Sequence, residues 1–111
     1  MSDAAPVRGG IYPYHGNLRR TDFVVISIDS LNTGGTVIVC EVTGQPPPED
    51  VRGLIAVHLT ADDPLPGRWV LCWRVNYATA GRFDVAAGPG IVTPATMIRV
   101  IGAVRSAIEP L

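Results

Sequence analysis

Two nearly unbroken apolar runs on either side of a diglycine set what this chain can become. Phe23-Val24-Val25-Ile26-Ser27-Ile28 leads into Asp29-Ser30-Leu31-Asn32-Thr33-Gly34-Gly35, and Thr36-Val37-Ile38-Val39-Cys40-Glu41-Val42 follows. β-Branched residues at this density favour strands, and a continuous apolar run marks a strand buried on both faces or deep in a barrel. Thr33-Gly34-Gly35 reverses the chain, so the two runs form a hairpin, with Asp29-Ser30 capping a single turn before Asn32. The 12 Gly and 10 Pro among 111 residues agree, because they punctuate a chain into short strands and turns.

The rest of the chain reads in the same way. Val7–Tyr14 carries an earlier strand, and His15-Gly16-Asn17 is turn chemistry. Gln45-Pro46-Pro47-Pro48-Glu49-Asp50 cannot continue a ladder, since proline donates no backbone N–H, and is expected to be a mobile polar loop. Leu54–Leu59, a central Trp69–Val75 and a short Arg82–Val85 supply further strands, and Gly88-Pro89-Gly90 is a turn. The adjacent Asp62 and Asp63 point to opposite sides of an extended chain, which suits a solubilising loop better than an acid–base pair.

The period changes at the end of the chain. Thr93-Pro94 pairs an N-cap with proline at the first helical position, and Pro110 stops the helix. Met97, Ile101, Val104 and Ile108 fall at spacings of four, three and four and line one helical face, with Arg99 and Arg105 off it. Gly102 costs such a helix about 1 kcal/mol relative to Ala, which suggests close packing there. The expected fold is mainly β with a C-terminal helix: an SH3-like small barrel, a curved antiparallel sheet of about five to seven strands closed or plugged by that helix. One domain should span residues 1–111, with 1–6 a flexible tail.

Composition narrows the function classes. Hydrophobic residues are 47% and charged residues 17%, enough for a real core, and the net charge of -1 offers no basic field, so a nucleic-acid partner would need a local cationic patch. The first residues lack a signal-peptide pattern, and no apolar run approaches the roughly 18–20 residues that cross a bilayer, so a cytoplasmic location without membrane association is expected. Cys40 and Cys72 sit in apolar runs and read as buried thiols, with a Cys40–Cys72 bridge the open alternative. His15 and His58 lie far apart and no CxxC occurs, so neither a metal nor a cofactor is expected.

Candidate chemistry gathers in two places. Arg20 enters the first apolar strand and Thr43 leaves the second, so a donor fork suited to phosphate and a hydroxyl sit at neighbouring strand ends. The bland account is a solvated arginine and ordinary β composition. His15 is close enough in sequence to Arg19 and Arg20 to contact a phosphate or a base, whereas His58, mid-strand, reads as a half-buried structural residue. Trp69, Trp73, Arg74, Asn76, Tyr77 and Arg82 interleave aromatics with cations, a pattern suited to single-stranded nucleic acid, although tryptophans are equally natural core anchors. Arg74 interrupts an apolar strand and has to reach solvent, a carboxylate or a ligand.

In this order the motifs resemble the MazF/PemK toxins of bacterial type II toxin–antitoxin systems. Val7-Arg8-Gly9-Gly10-Ile11-Tyr12 is similar to the family's Arg-Gly-Asp/Glu-Ile/Val-Tyr/Trp opening, and Phe23–Asn32 to its Val-Leu-Val-Ile-Ser-Asn-Asp-Xaa-Xaa-Asn strand. Val39–Gln45 resembles the family strand that ends in Thr and a short polar turn. Gly90-Ile91-Val92-Thr93-Pro94 resembles its ending before the helix. Two positions depart from the pattern: Thr21-Asp22 follows Arg20 where the family has proline, and Trp73-Arg74 stands for its Asp-Gln.

The resemblance implies a metal-independent, sequence-selective endoribonuclease that cuts single-stranded RNA, works as a homodimer and is silenced by a cognate antitoxin. Arg20, or Arg19 if the register slips by one, would be its catalytic arginine, with Thr43 as partner. His15, Arg19, Gln45, Arg74, Asn76 and Arg82 would contact RNA. Alternatives on the same fold are a CcdB-like toxin that inhibits DNA gyrase by binding and an inactive small-barrel binding module.

Overall fold

The structure, a computed structural model, describes residues 5–15 and 20–108. Among these, β1 (Gly10–His15), β2 (Arg20–Val25), β3 (Thr36–Thr43), β4 (Ala56–His58), β5 (Trp69–Thr79) and β6 (Gly90–Ile91) form one curled antiparallel sheet in the order β4-β5-β3-β2-β1-β6. A short α1 (Asp29–Thr33) lies in the β2–β3 connection, and α2 (Pro94–Ile108) packs against β4 and β5. The expected mainly-β sheet with a C-terminal helix is the fold observed.

The central hairpin explains its own unbroken hydrophobicity. Val24 pairs with Cys40 and Val25 with Val39, and all four side chains are fully buried. Neighbouring strand residues face opposite sides, so both faces of the sheet must be covered. Val24 joins Ile11, Val42, Val70 and the helical Val100 on one face; Val25 joins Tyr12, Val37, Val39 and Phe83 on the other. Cys40 and Cys72 are both free and buried on the helical face. A hydrogen bond with Cys72, then burial, push the Cys40 thiol far above its ordinary pKa, which keeps it an inert hydrophobe.

Several local expectations are corrected. β2 ends at Val25 rather than Ile28, because the Ser27 hydroxyl takes over as acceptor for the Ile38 N–H at 2.9 Å and pairs with the buried Asn32. Ile28 is consequently exposed. Asp29 caps nothing on α1; its carboxylate accepts the Arg8 N–H at 2.8 Å and ties the chain start to the turn. Pro6 is fully buried, so the flexible tail expected over 1–6 does not reach it. Arg82–Val85 is not a strand but the junction of two single 3-10 turns, Ala80–Arg82 and Val85–Ala87, with Phe83 buried between them and bridged to Tyr14. Of Leu54–Leu59 only Ala56–His58 is strand, extended by backbone hydrogen bonds from Cys72 to Ile55 and from Leu59 to Arg68, and Leu54 is exposed in a turn.

The proline loop is pinned rather than mobile. Arg52 Nε donates to the Pro47 carbonyl at 2.7 Å, Pro47 is buried, and Glu49–Val51 forms a 3-10 turn. The Arg52 guanidinium also lies 5.8 Å from the centre of the Trp69 ring, whose other neighbour, His58, stacks at 4.3 Å. His58 is therefore an exposed stacking partner at a strand end, not a half-buried mid-strand residue.

Asp63 is the largest correction. It is only 5% exposed and serves as an anchor, not as solubilising surface. One carboxylate oxygen accepts the Thr60 N–H at 2.8 Å, the Thr60 hydroxyl at 2.9 Å and the Thr96 hydroxyl at 2.7 Å; the other accepts the Thr93 N–H at 2.9 Å. Burial opposes ionisation, but these hydrogen bonds outweigh it and hold the carboxyl below the ordinary aspartate range. Thr93 meanwhile caps α2 as expected, its hydroxyl accepting the Thr96 N–H at 3.2 Å.

Tied down at Thr96, α2 buries Thr96, Val100, Ala103 and Val104 against the sheet. Of the apolar stripe read from the sequence, Val104 is in this buried set, Met97 and Ile101 are half-buried and Ile108 is 64% exposed. Gly102 faces open space, so close packing does not explain it.

Candidate functional site

At the end of the sheet, β2 opens and β3 closes beside a polar recess of about 380 Å³. Arg20, Thr21, Asp22, Glu41, Thr43, Arg68 and Arg74 line it. Strand alternation puts Arg20 on the face of Asp22 and Val24, and Thr43 on the face of Glu41 and Val39. They share one recess because it lies where both strands end.

Each side chain has a physical setting. Thr43 Oγ1 accepts the Gln45 N–H at 3.2 Å, a local turn that leaves the hydroxyl proton free to donate to a ligand. Arg68 reaches Asp22 at 3.3 Å, and Arg74 reaches both Glu41 oxygens at 3.3 and 3.4 Å. Arg74 thus finds the carboxylate that its place in an apolar strand demanded. Arg20 is exposed and, unlike Arg68 and Arg74, belongs to no ion pair among the described residues. Three guanidinium groups face two carboxylates, so the recess carries a positive excess on a chain of net charge -1. It is suited to an anion with several acceptor oxygens, such as a phosphodiester.

A second recess of about 220 Å³ adjoins the first and shares Glu41, Thr43 and Arg74 with it. Its remaining wall is Gln45, the three prolines, Leu71 and Trp73. The register explains how Trp73 comes to be there. Cys40 pairs with Val75 but Glu41 pairs with Leu71, so Cys72, Trp73 and Arg74 bulge opposite one step of β3. Cys72 remains buried, whereas Trp73 and Arg74 are consecutive exposed residues.

Of the residues expected from the sequence to act together, Arg20, Thr43, Gln45 and Arg74 line these adjoining recesses. Arg19 lies outside the described residues. His15 is the β1 partner of Arg20 but lines neither recess; its Nε2 lies 3.9 Å from an Asp84 oxygen. Asn76 and Arg82 are exposed elsewhere and line neither. Arg68 was missed, because its partner Asp22 is 46 residues away and no local pattern links them. Another recess, of about 650 Å³, lies apart from this chemistry, where Arg8, Ile91, Met97, Ile98, Ile101 and Arg105 contribute a mainly apolar wall. No cluster of three or more metal-ligating side chains occurs among the described residues, and no helix there is long and apolar enough to cross a membrane.

No family model matches the sequence, and no curated protein does. Solved structures do. An endoribonuclease in complex with its cognate antitoxin, from a mycobacterial species, superposes with a TM-score of 0.83 at 23% identity, covering 96% of this chain and 99% of that one. MazF of a MazE–MazF complex from Deinococcus radiodurans gives 0.79 at 19% identity, over 96% and 98% of the two chains. Toxin MazF-mt6 of Mycobacterium tuberculosis gives 0.68 at 12% identity, over 88% and 94%. At these identities the likeness resides in the fold, which agrees over nearly the full length of each chain. The curled six-stranded sheet with its C-terminal helix is the MazF fold.

Proposed function

We propose that this chain is the toxin of a type II toxin–antitoxin pair, an endoribonuclease that cuts single-stranded mRNA in the cytoplasm without a metal. The observation that carries this reading is the recess shared by Arg20, which belongs to no ion pair among the described residues, and an oriented Thr43 hydroxyl. The RNA 2′-oxygen forms a bond to the adjacent phosphorus while the bond to the 5′-oxygen breaks; solvent takes the proton of the first and supplies that of the second. Arg20 and Thr43 hold the non-bridging oxygens as charge builds on them. A guanidinium is a standing cation, so its contribution is charge stabilisation and in-line positioning, not proton abstraction. Products would carry 2′,3′-cyclic phosphate and 5′-hydroxyl ends.

Purified protein incubated with mixed-sequence RNA in EDTA is expected to give discrete fragments with those ends, read by end-group labelling. Intact RNA under all conditions would overturn the reading and favour a toxin that acts by binding a protein.

The partners follow the same proposal. A cognate antitoxin would silence the chain, as the mycobacterial and Deinococcus structures hold toxin and antitoxin together. The chain would pair as a homodimer through the outer face of α2, where Ile98 is 74% and Ile108 64% exposed. Light scattering at micromolar concentration should give twice the chain mass, and Ile98→Glu should shift it toward the monomer. A monomer before substitution would count against pairing.

A further inference from the structure

We propose that the recess beside Trp73 is a nucleobase site: the base next to the scissile phosphate stacks on the Trp73 ring and is held at its edge by Gln45. This inference rests on the nuclease reading for the position of the phosphate, but not for the recess itself. Four observations support it.

The ring is available. Trp69, the other tryptophan, is flanked by His58 and Arg52, so it is committed to holding the proline loop. Trp73 has no stacking partner among the described residues and is 38% exposed. A large aromatic surface left open beside guanidinium groups is the composition that single-stranded nucleic acid uses, a π-face for the base and cations for the backbone.

The proline wall is stiff. Pro46, Pro47 and Pro48 have fixed φ, and the Arg52 hydrogen bond at 2.7 Å pins their middle carbonyl. A ligand entering there orders little that is not already ordered, which favours affinity. At about 220 Å³ the recess suits one planar ring system rather than a folded peptide segment.

The chemistry is graded across the site. Gln45 offers an amide donor and acceptor to a base edge, and Arg74 and Glu41 are common to this recess and the phosphate-suited one. Thr43 also lines both, and it is tied through its hydroxyl to the Gln45 backbone. A base in one recess therefore places its own phosphate at the other.

Finally, the backbone puts the ring there at the cost of ladder pairing. The bulge spans Cys72–Arg74, and within it, directly after the buried run Val70–Cys72, the side chains of Trp73 and Arg74 are both exposed. Bulges that re-aim side chains in this way are frequent at binding sites.

The test uses the full chain carrying Trp69→Phe, which leaves Trp73 as the sole tryptophan. Short mixed-sequence 2′-O-methyl oligoribonucleotides cannot supply the attacking hydroxyl, so binding is read without cleavage. They are expected to quench Trp73 fluorescence. In the otherwise unaltered chain, Trp73→Leu should weaken their binding roughly 5- to 150-fold and Trp73→Phe far less, since stacking needs a π-face. Circular dichroism and light scattering control for folding and assembly. Quenching accompanied by no cleavage of ordinary RNA would support the base site while overturning the nuclease reading. Absence of quenching, with Trp73→Leu cutting RNA at unchanged positions and rates, would overturn the base site and leave the nuclease reading intact. Absence of quenching with loss of self-association in Trp73→Leu would also overturn it, placing the ring in a protein interface.

Discussion

Replacing Arg20 with alanine is expected to slow RNA cleavage by about 10²- to 10³-fold, the usual effect of removing one donor aimed at developing charge. Arg20 is exposed at the mouth of β2 and pairs with no carboxylate among the described residues, so its loss leaves no buried charge behind and folding should be unchanged. Arg20→Lys keeps the charge but loses the planar fork, and should recover only part of the rate. Thr43→Ala should cost less, about 10- to 100-fold, because a neutral hydroxyl makes a weaker bond to an anion than a guanidinium does. The double variant should fall short of the product of the two losses, since groups acting on one phosphate are not independent. Single-turnover rates with a short RNA check each value. Arg68 is the informative control: it lines the same recess but is held by Asp22. Full activity in Arg20→Ala together with loss in Arg68→Ala would transfer the catalytic role to Arg68.

The second large effect concerns stability. Asp63→Ala removes the acceptor for two backbone N–H groups and two threonine hydroxyls, and is expected to destabilise the fold by roughly 2–4 kcal/mol. Asp63→Asn keeps the shape but places an NH₂ against donors, and should recover only part of that. The pH dependence has a definite sign. The folded carboxyl titrates below its unfolded value, so its contribution is complete above the ordinary aspartate pKa of about 3.9 and disappears as pH falls through the lowered folded value. Urea unfolding across that acid range should show wild type losing stability on acidification more steeply than Asp63→Asn. Parallel curves for the two proteins would remove Asp63 from its anchoring role.

Those two residues also illustrate what a sequence can disclose. The hairpin was legible because Val24 and Val25 are both buried, which forces an apolar run without gaps. The start of α2 was legible because Thr93-Pro94 acts within a single turn. Arg20 and Thr43 could be brought together because strand pairing follows from the hairpin itself. Asp63 could not be placed, since its partners Thr93 and Thr96 lie 30 and 33 residues away. Nor could the buried side of α2 be chosen. The helix has apolar residues on most of its circumference, and the small Ala103 and the anchored Thr96, not the larger Met97 and Ile101, decide which side meets the sheet. The bulge was invisible for a related reason: extra residues exist only relative to a partner strand.

That bulge has a consequence for how the protein can diversify. Pairing is regular on both sides of Cys72–Arg74, in registers offset by those three residues, with Val75 against Cys40 and Leu71 against Glu41. Trp73 and Arg74 project from a span that contributes no step to the β3 ladder, so no pairing partner on β3 constrains their identities. The strand acts there as a fixed socket with exchangeable contents. Selection can rewrite the chemistry presented at the recess without renegotiating the fold that holds it.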